Sequence, residues 1–164
     1  MKKYEFTGET KRVELWNRTA TLHRIKATVE FGFVKVGELG GWIEKEENLS
    51  HEGKAWVCGD AKVWGNANVC GDAKVWGNAK VCGNAEVFLA SHVLVMGSVG
   101  SRNDFTTFFR DKDNEITVKC GCFLGKIDKF LEKVTQTHGN NKYALVYRAA
   151  VEVAKLQIEL TERK

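Results

Sequence analysis

Proline is absent from the 164 residues. No turn is therefore preset by a locked φ, and every corner has to be made by Gly, Asn or Asp. Long apolar runs are also missing; nothing approaches the roughly 20 consecutive apolar residues of a membrane span. The opening Met1-Lys2-Lys3-Tyr4-Glu5 is basic with no apolar stretch behind it, so no signal peptide is expected. Five cysteines is an odd number, which fits free thiols in a reducing cytoplasm better than a disulfide framework. Charge of one sign is scarce. The net charge of +4 comes from residues 1–40 (+3) and 126–164 (+3), offset by residues 41–52 (−3), while residues 53–100 carry only +1 and 101–125 none. Without a continuous basic stripe, nucleic acid is an unlikely partner.

What is present is a repeat. From Gly53 the chain runs in sixes to Phe88: Gly, then Asp or Asn in most units, Ala, a variable residue, Val, and Cys, Trp or Phe. Valine holds the fifth slot at 57, 63, 69, 75, 81, 87, 93 and 99, and alanine the third at 55, 61, 67, 73, 79 and 85. Two residues apart on a strand, Ala and Val face the same side, and small Ala beside branched Val suits a narrow interior. Gly and the following Asp or Asn suit a tight corner. Lys62, Lys74 and Lys80 should face water. Three short strands per coil imply about 18 residues per turn. That spacing puts Cys58, Cys70 and Cys82 on three different faces, so they share no metal site and read as packing groups. An exposed aromatic row at Trp64, Trp76 and Phe88 would mark a subunit interface.

The flanks read differently. Residues 21–31 alternate as a strand does, and residues 1–40 are expected to form an N-terminal β cap. Residues 33–43 keep some alternation, with Ile43 and Leu49 in the Ala slot of less regular lead-in coils, so the β-solenoid is expected to span 41–100. Residues 101–164 form a tail: strands at 104–110 and 115–120 joined by a turn at Asp111–Asn114, then two helices. The first helix carries an apolar stripe of Ile127, Phe130, Leu131 and Val134. The second should run from Lys142 to Thr161 with Leu145, Val146, Ala149, Ala150, Val153 and Leu156 on one side.

Over residues 41–100 the motif aliphatic-x-Gly-Asp/Asn-Ala-x resembles the hexapeptide-repeat proteins, the superfamily of trimeric acyltransferases and γ-class carbonic anhydrases. The resemblance implies a left-handed β-helix and a homotrimer. The whole chain also resembles small phage and prophage repeat proteins, through Lys3–Thr10, Leu39–Ser50, Gly100–Asn103 and Cys120–Phe123. That likeness implies a location in the cytoplasm of an infected or lysogenic bacterium.

Candidate chemistry is sparse. The resembling transferases use a histidine base beside coenzyme A; here His51 sits in an inward slot and His92 is read as outward, neither with a partner set. Four histidines at 23, 51, 92 and 138 do not supply the three-histidine metal site of the γ-class anhydrases. Cys120 and Cys122 point to one strand face and read as packed free thiols, with metal or redox chemistry alongside His138 as the alternative. The most suggestive cluster is Ser101, Arg102 and Asn103 with Thr107, Arg110, Lys119 and Lys126 nearby, joined by Thr106. Hydroxyls, a glycine turn and arginine suit the oxygens of an anion. The expected function is thus a non-enzymatic binding protein, without catalytic residues, cofactor or metal, that sequesters an anionic nucleotide-like signal of host antiviral defence. A scaffold or interaction module and a trimeric acyltransferase are the alternatives.

Overall fold

The computed structural model describes residues 2–160. The N-terminal hairpin pairs β1 (Tyr4–Glu14) antiparallel with β2 (Thr19–Ala27), and β2 pairs in turn with β3 (Leu39–Ile43). Two glycines let β3 lie close to β2 on one side and to the repeats on the other. A Cβ on Gly40 would lie 2.6 Å from Ile25 and 2.7 Å from Trp56, and one on Gly41 would lie 2.7 Å from the Ala61 carbonyl.

The repeats give six strands of two residues each: β4 (Trp56–Val57), β5 (Lys62–Val63), β6 (Asn68–Val69), β7 (Lys74–Val75), β8 (Lys80–Val81) and β9 (Glu86–Val87). Pairing is parallel: Val57 lies beside Val75, Val63 beside Val81, and Val69 beside Val87. All six valines are fully buried, and the six alanines are at most 2% exposed. Burying each valine contributes about 1.5–3 kcal/mol, which offsets the few hydrogen bonds that so short a strand supplies. At the corners Gly53 and Gly71 adopt φ of 72° and 60°. Their missing Cβ atoms leave room for the Gly71 and Phe88 carbonyls, each within 2.8 Å of where a methyl would stand.

The expected β-solenoid, and the left-handed β-helix in particular, is corrected by the sheet arrangement. The repeat strands do not build continuous sheets. They divide among a five-stranded mixed sheet in the order β1-β2-β3-β5-β8 and two separate two-stranded sheets, β4-β7 and β6-β9. A glycine corner before each two-residue strand, and after all of them but β9, limits how far a ladder can extend, whereas the flanking strands of up to 11 residues build antiparallel sheet. The protein is mainly β, with several separate sheets and two helices.

The C-terminal part is a four-stranded antiparallel sheet of β10 (Val93–Val99), β11 (Asp104–Arg110), β12 (Ile116–Cys120) and β13 (Phe123–Lys126). Val93 and Val99, placed in repeat slots by their spacing, belong to this sheet instead. The turn at Asp111–Asn114 forms between β11 and β12 as read from the sequence. Along β11 the side chains alternate between two cores. Phe109 closes the end of the Ala/Val core, while Phe108 packs with Ile116 and Val118 under α1 (Ile127–His138) and α2 (Lys142–Gln157). The α1 stripe packs as its spacing predicts, with Phe130 and Val134 each 3% exposed. Of the expected α2 stripe only Ala150 is buried: it faces the sheet with Ala144, Tyr147, Val151 and Ala154, whereas Leu145, Val153 and Leu156 are exposed. Small alanines let this helix approach the sheet closely. Thr161, the expected end of the second helix, lies outside the described residues.

Candidate functional site

Two glycine turns face each other at one end of the four-stranded sheet. In the first, Asn103 N–H donates to the Gly100 carbonyl at 3.2 Å. Gly100 has φ of 80°, and a Cβ there would stand 1.8 Å from the Tyr147 hydroxyl. Only glycine lets this turn close over Tyr147. The second turn follows β12 at Gly121, where a Cβ would lie 3.1 Å from the Arg102 guanidinium. Arg102 therefore lies across the second turn, and it makes no hydrogen bond or ion pair among the described residues.

Beneath the turns is a pocket of about 260 Å³. Ser101, Arg102, Asp104 and Thr106 line one side, and Cys120, Gly121 and Cys122 another. Helix α1 supplies Phe130, Lys133, Val134, Thr137 and His138, whose spacing puts them on one helical face. Tyr147 reaches in from α2. Its ring stands edge-on to Phe130 at 5.6 Å and nearly parallel to His138 at 5.9 Å, giving an aromatic floor. Burial, and then the neighbouring Cys120 thiol, push the Tyr147 phenol up to about 12. Cys120 Sγ accepts from Thr106 Oγ1 at 3.3 Å and lies 3.9 Å from the Tyr147 hydroxyl. These are hydroxyl neighbours rather than a base that would activate a thiolate. The charges at the rim are Arg102 and Lys133 against Asp104, an excess of one positive charge.

The structure brings Ser101 and Arg102 together with Thr106 at this pocket and disperses the rest of the expected cluster. Asn103 holds the turn, at φ of 50°, beside the pocket. Thr107 is one residue out of phase with Thr106; it points toward the repeats, and its hydroxyl accepts from the Lys80 N–H at 3.0 Å. Lys119, opposite Thr107, shares that side and donates to the Gly121 carbonyl at 2.5 Å. Arg110 is 3% exposed, donates to the Glu86 carbonyl and to Asn114, and stacks on Phe88. Lys126 is held by Asp111 at 2.7 Å and Asp113 at 2.9 Å. Asp111, although only 2% exposed, keeps its carboxyl below the usual range. Its burial opposes that shift, while hydrogen bonds from Lys126, Thr117 and two backbone N–H groups outweigh burial.

The expected aromatic row is broken as well. Trp64 is 5% exposed and packs against Ala20, Leu22 and Cys82. Phe88 is half-buried beneath Arg110, and only Trp76 is open, at 59%. Trp76 lines a cleft of about 740 Å³ together with Phe33, Trp56, Lys54 and Lys74. His92, read as outward, is fully buried; its Nδ1 accepts from the Phe88 and Leu89 N–H groups. His51 is half-buried and stacks on Tyr4 at 4.0 Å. Cys122 stands exposed in the turn rather than on the face of Cys120. Among the described residues no group of three or more His, Cys, Asp or Glu is arranged to hold a metal ion. Nor, among them, is any helix long and apolar enough to cross a membrane.

Lys133, Thr137, His138 and Tyr147 had no place in the sequence-derived cluster. The i, i+4, i+5 spacing of the first three along α1 was readable; their meeting with Arg102 depends on how the helix crosses the sheet. A scan against protein-family models matches none, and a search of the curated proteins finds no match to this chain.

Proposed function

We propose that this protein is a non-enzymatic binding protein that captures a small anionic, nucleotide-like ligand in the pocket beneath Arg102. One observation carries the reading: an Arg102 guanidinium with no partner of its own lies at the rim of a pocket floored by aromatic rings. Arginine and Lys133 suit phosphate oxygens, the hydroxyls of Ser101 and Thr137 suit the remaining acceptors, and a planar base suits the half-buried rings of Phe123 and His138. The volume of about 260 Å³ lies just under the roughly 300–1,000 Å³ of small-ligand clefts and is too small for a polymer. Likeness to phage and prophage repeat proteins supports a role in withdrawing a host signal from antiviral defence.

Thermal denaturation with cyclic and linear nucleotides, and with inorganic phosphate, tests the proposal. A ligand at 100 times its Kd stabilises by about 2.7 kcal/mol, which raises Tm by roughly 6 °C in a chain of this size. Arg102→Ala should abolish that rise while leaving the unliganded Tm within about 1 °C, because Arg102 is exposed. No rise with any of these compounds, and no small molecule released on heating the purified protein, would defeat the reading. An interaction module is the second reading, favoured by the Phe33–Trp76 cleft, where the two rings are 87% and 59% exposed.

A further inference from the structure

Helix α2 turns three alanines, Tyr147 and Val151 toward the sheet and three larger aliphatic residues toward water. Leu145 is 59% exposed, Val153 45% and Leu156 87%, with Ala149 between them and Leu160, 44% exposed, just beyond the helix. Steps of four, four and three residues keep Leu145, Ala149, Val153 and Leu156 on one face over about 16 Å. A row of this kind is what a second helix covers. Beside Ala149 lies a groove of about 430 Å³, lined also by Leu131, Arg148 and Glu152, where a neighbouring side chain can seat.

We propose that this face is the docking surface for a second copy of the chain, with the two α2 helices packed antiparallel across a two-fold axis. The pattern of the helix is self-complementary about the point between Ala150 and Val151. Leu145 and Leu156 are equidistant from it, so in an antiparallel pair each meets the other of the second copy. Lys142 stands in the first turn of α2 and Glu159 just past its last turn, at opposite ends, and neither forms an ion pair within the chain among the described residues. The first half of α2 carries Lys142 and Arg148; Glu152 and Glu159 follow in the second half and just beyond, and Lys155 is held by Glu152 at 3.5 Å. An antiparallel pair therefore sets basic ends on acidic ends, whereas a parallel pair would oppose like charges. At the axis, Ala149 is small enough for close approach.

Sedimentation equilibrium of the full chain is the test. The expected mass is that of two chains at concentrations of about 0.1 mM and below. Leu156→Glu should shift the mass to one chain with the circular dichroism spectrum unchanged, because Leu156 contributes almost nothing to the chain's own core. Lys142→Glu should weaken association by about tenfold, and adding Glu159→Lys to it should restore the wild-type value. Lys142 in the first turn of α2 and Glu159 past its far end are too far apart to compensate within a single chain. A single-chain mass for the wild type at about 0.1 mM, a three-chain mass indifferent to Leu156→Glu, or no rescue by the charge swap would each overturn the proposal. Nucleotide binding is read separately, since Arg102 lies outside this face.

Discussion

Asn48 offers a test of how the segment before the repeats is locked to them. Its side chain is fully buried. Oδ1 accepts from the Glu44 and Lys45 N–H groups at 3.2 and 2.9 Å, and Nδ2 donates to the Gly65 and Ala67 carbonyls at 3.2 and 2.9 Å. Asn48→Asp keeps the shape and the two accepted bonds but turns both donated bonds into contacts between oxygens. Two carbonyls lose their donor at about 1–3 kcal/mol each, and the buried charge adds a cost that two N–H groups partly offset. The expected loss at pH 7 is about 4 kcal/mol. The introduced carboxyl has its folded-state pKa raised, so the folded chain holds a proton that the unfolded chain has released. The deficit is therefore smallest below the unfolded value of about 4 and grows as pH rises to the folded value. Protonation also returns one donor, so at pH 4 the deficit should fall to about 2 kcal/mol. Guanidinium denaturation of wild type and variant at pH 7 and pH 4, followed by circular dichroism, measures both numbers. A variant within about 1 kcal/mol of wild type at pH 7, or a deficit that does not change with pH, refutes the reasoning.

Three further outcomes follow from the structure. Lys3 is 3% exposed, and its ammonium donates to the Glu52, Gly53 and Ala55 carbonyls; burial still lowers its pKa to about 8. The unfolded chain then binds the extra proton, so Lys3 makes stability rise between pH 8 and about 10.5, by up to roughly 3 kcal/mol. Lys3→Met should remove that rise from the difference between urea curves at pH 7.5 and 10, leaving the opposite contribution of Tyr4, whose phenol burial raises. Gly40→Ala should cost about 2 kcal/mol or more in denaturant unfolding, because its methyl would meet Ile25, Trp56 and the Val57 carbonyl. Gly100→Ala should abolish the ligand-induced Tm rise, since the turn can no longer close over Tyr147; an unchanged rise would show that the turn does not shape the pocket.

Slot assignments were readable because the repeats put one side-chain chemistry at each position: valines and alanines are inside and glycines make the corners. The 104–120 hairpin and the inward face of α1 were readable for the same reason, a single clear period. The sheet arrangement was not. The 18-residue period does match the parallel pairing of Val57 with Val75, Val63 with Val81 and Val69 with Val87, but β3 adds a hairpin edge that no repeat pattern announces. The orientation of α2 was hidden because both of its faces are apolar, and the face of alanines around Tyr147 went inward in place of the leucines. In the candidate site, alternation along β11 and β12 separates Thr107 and Lys119 from Thr106 and Cys120. Nearby carbonyls and carboxylates then occupy Arg110 and Lys126, which sequence proximity alone had grouped with Arg102.

Strand β11 bears on two interiors at once, Phe108 on one side and Phe109 on the other. Neither interior can lose its order without exposing a phenylalanine that the same seven residues hold in place. The two halves of the chain should therefore melt as one cooperative unit. Any ligand that tightens the helical side then protects amides in the repeats from hydrogen exchange, although it touches none of them.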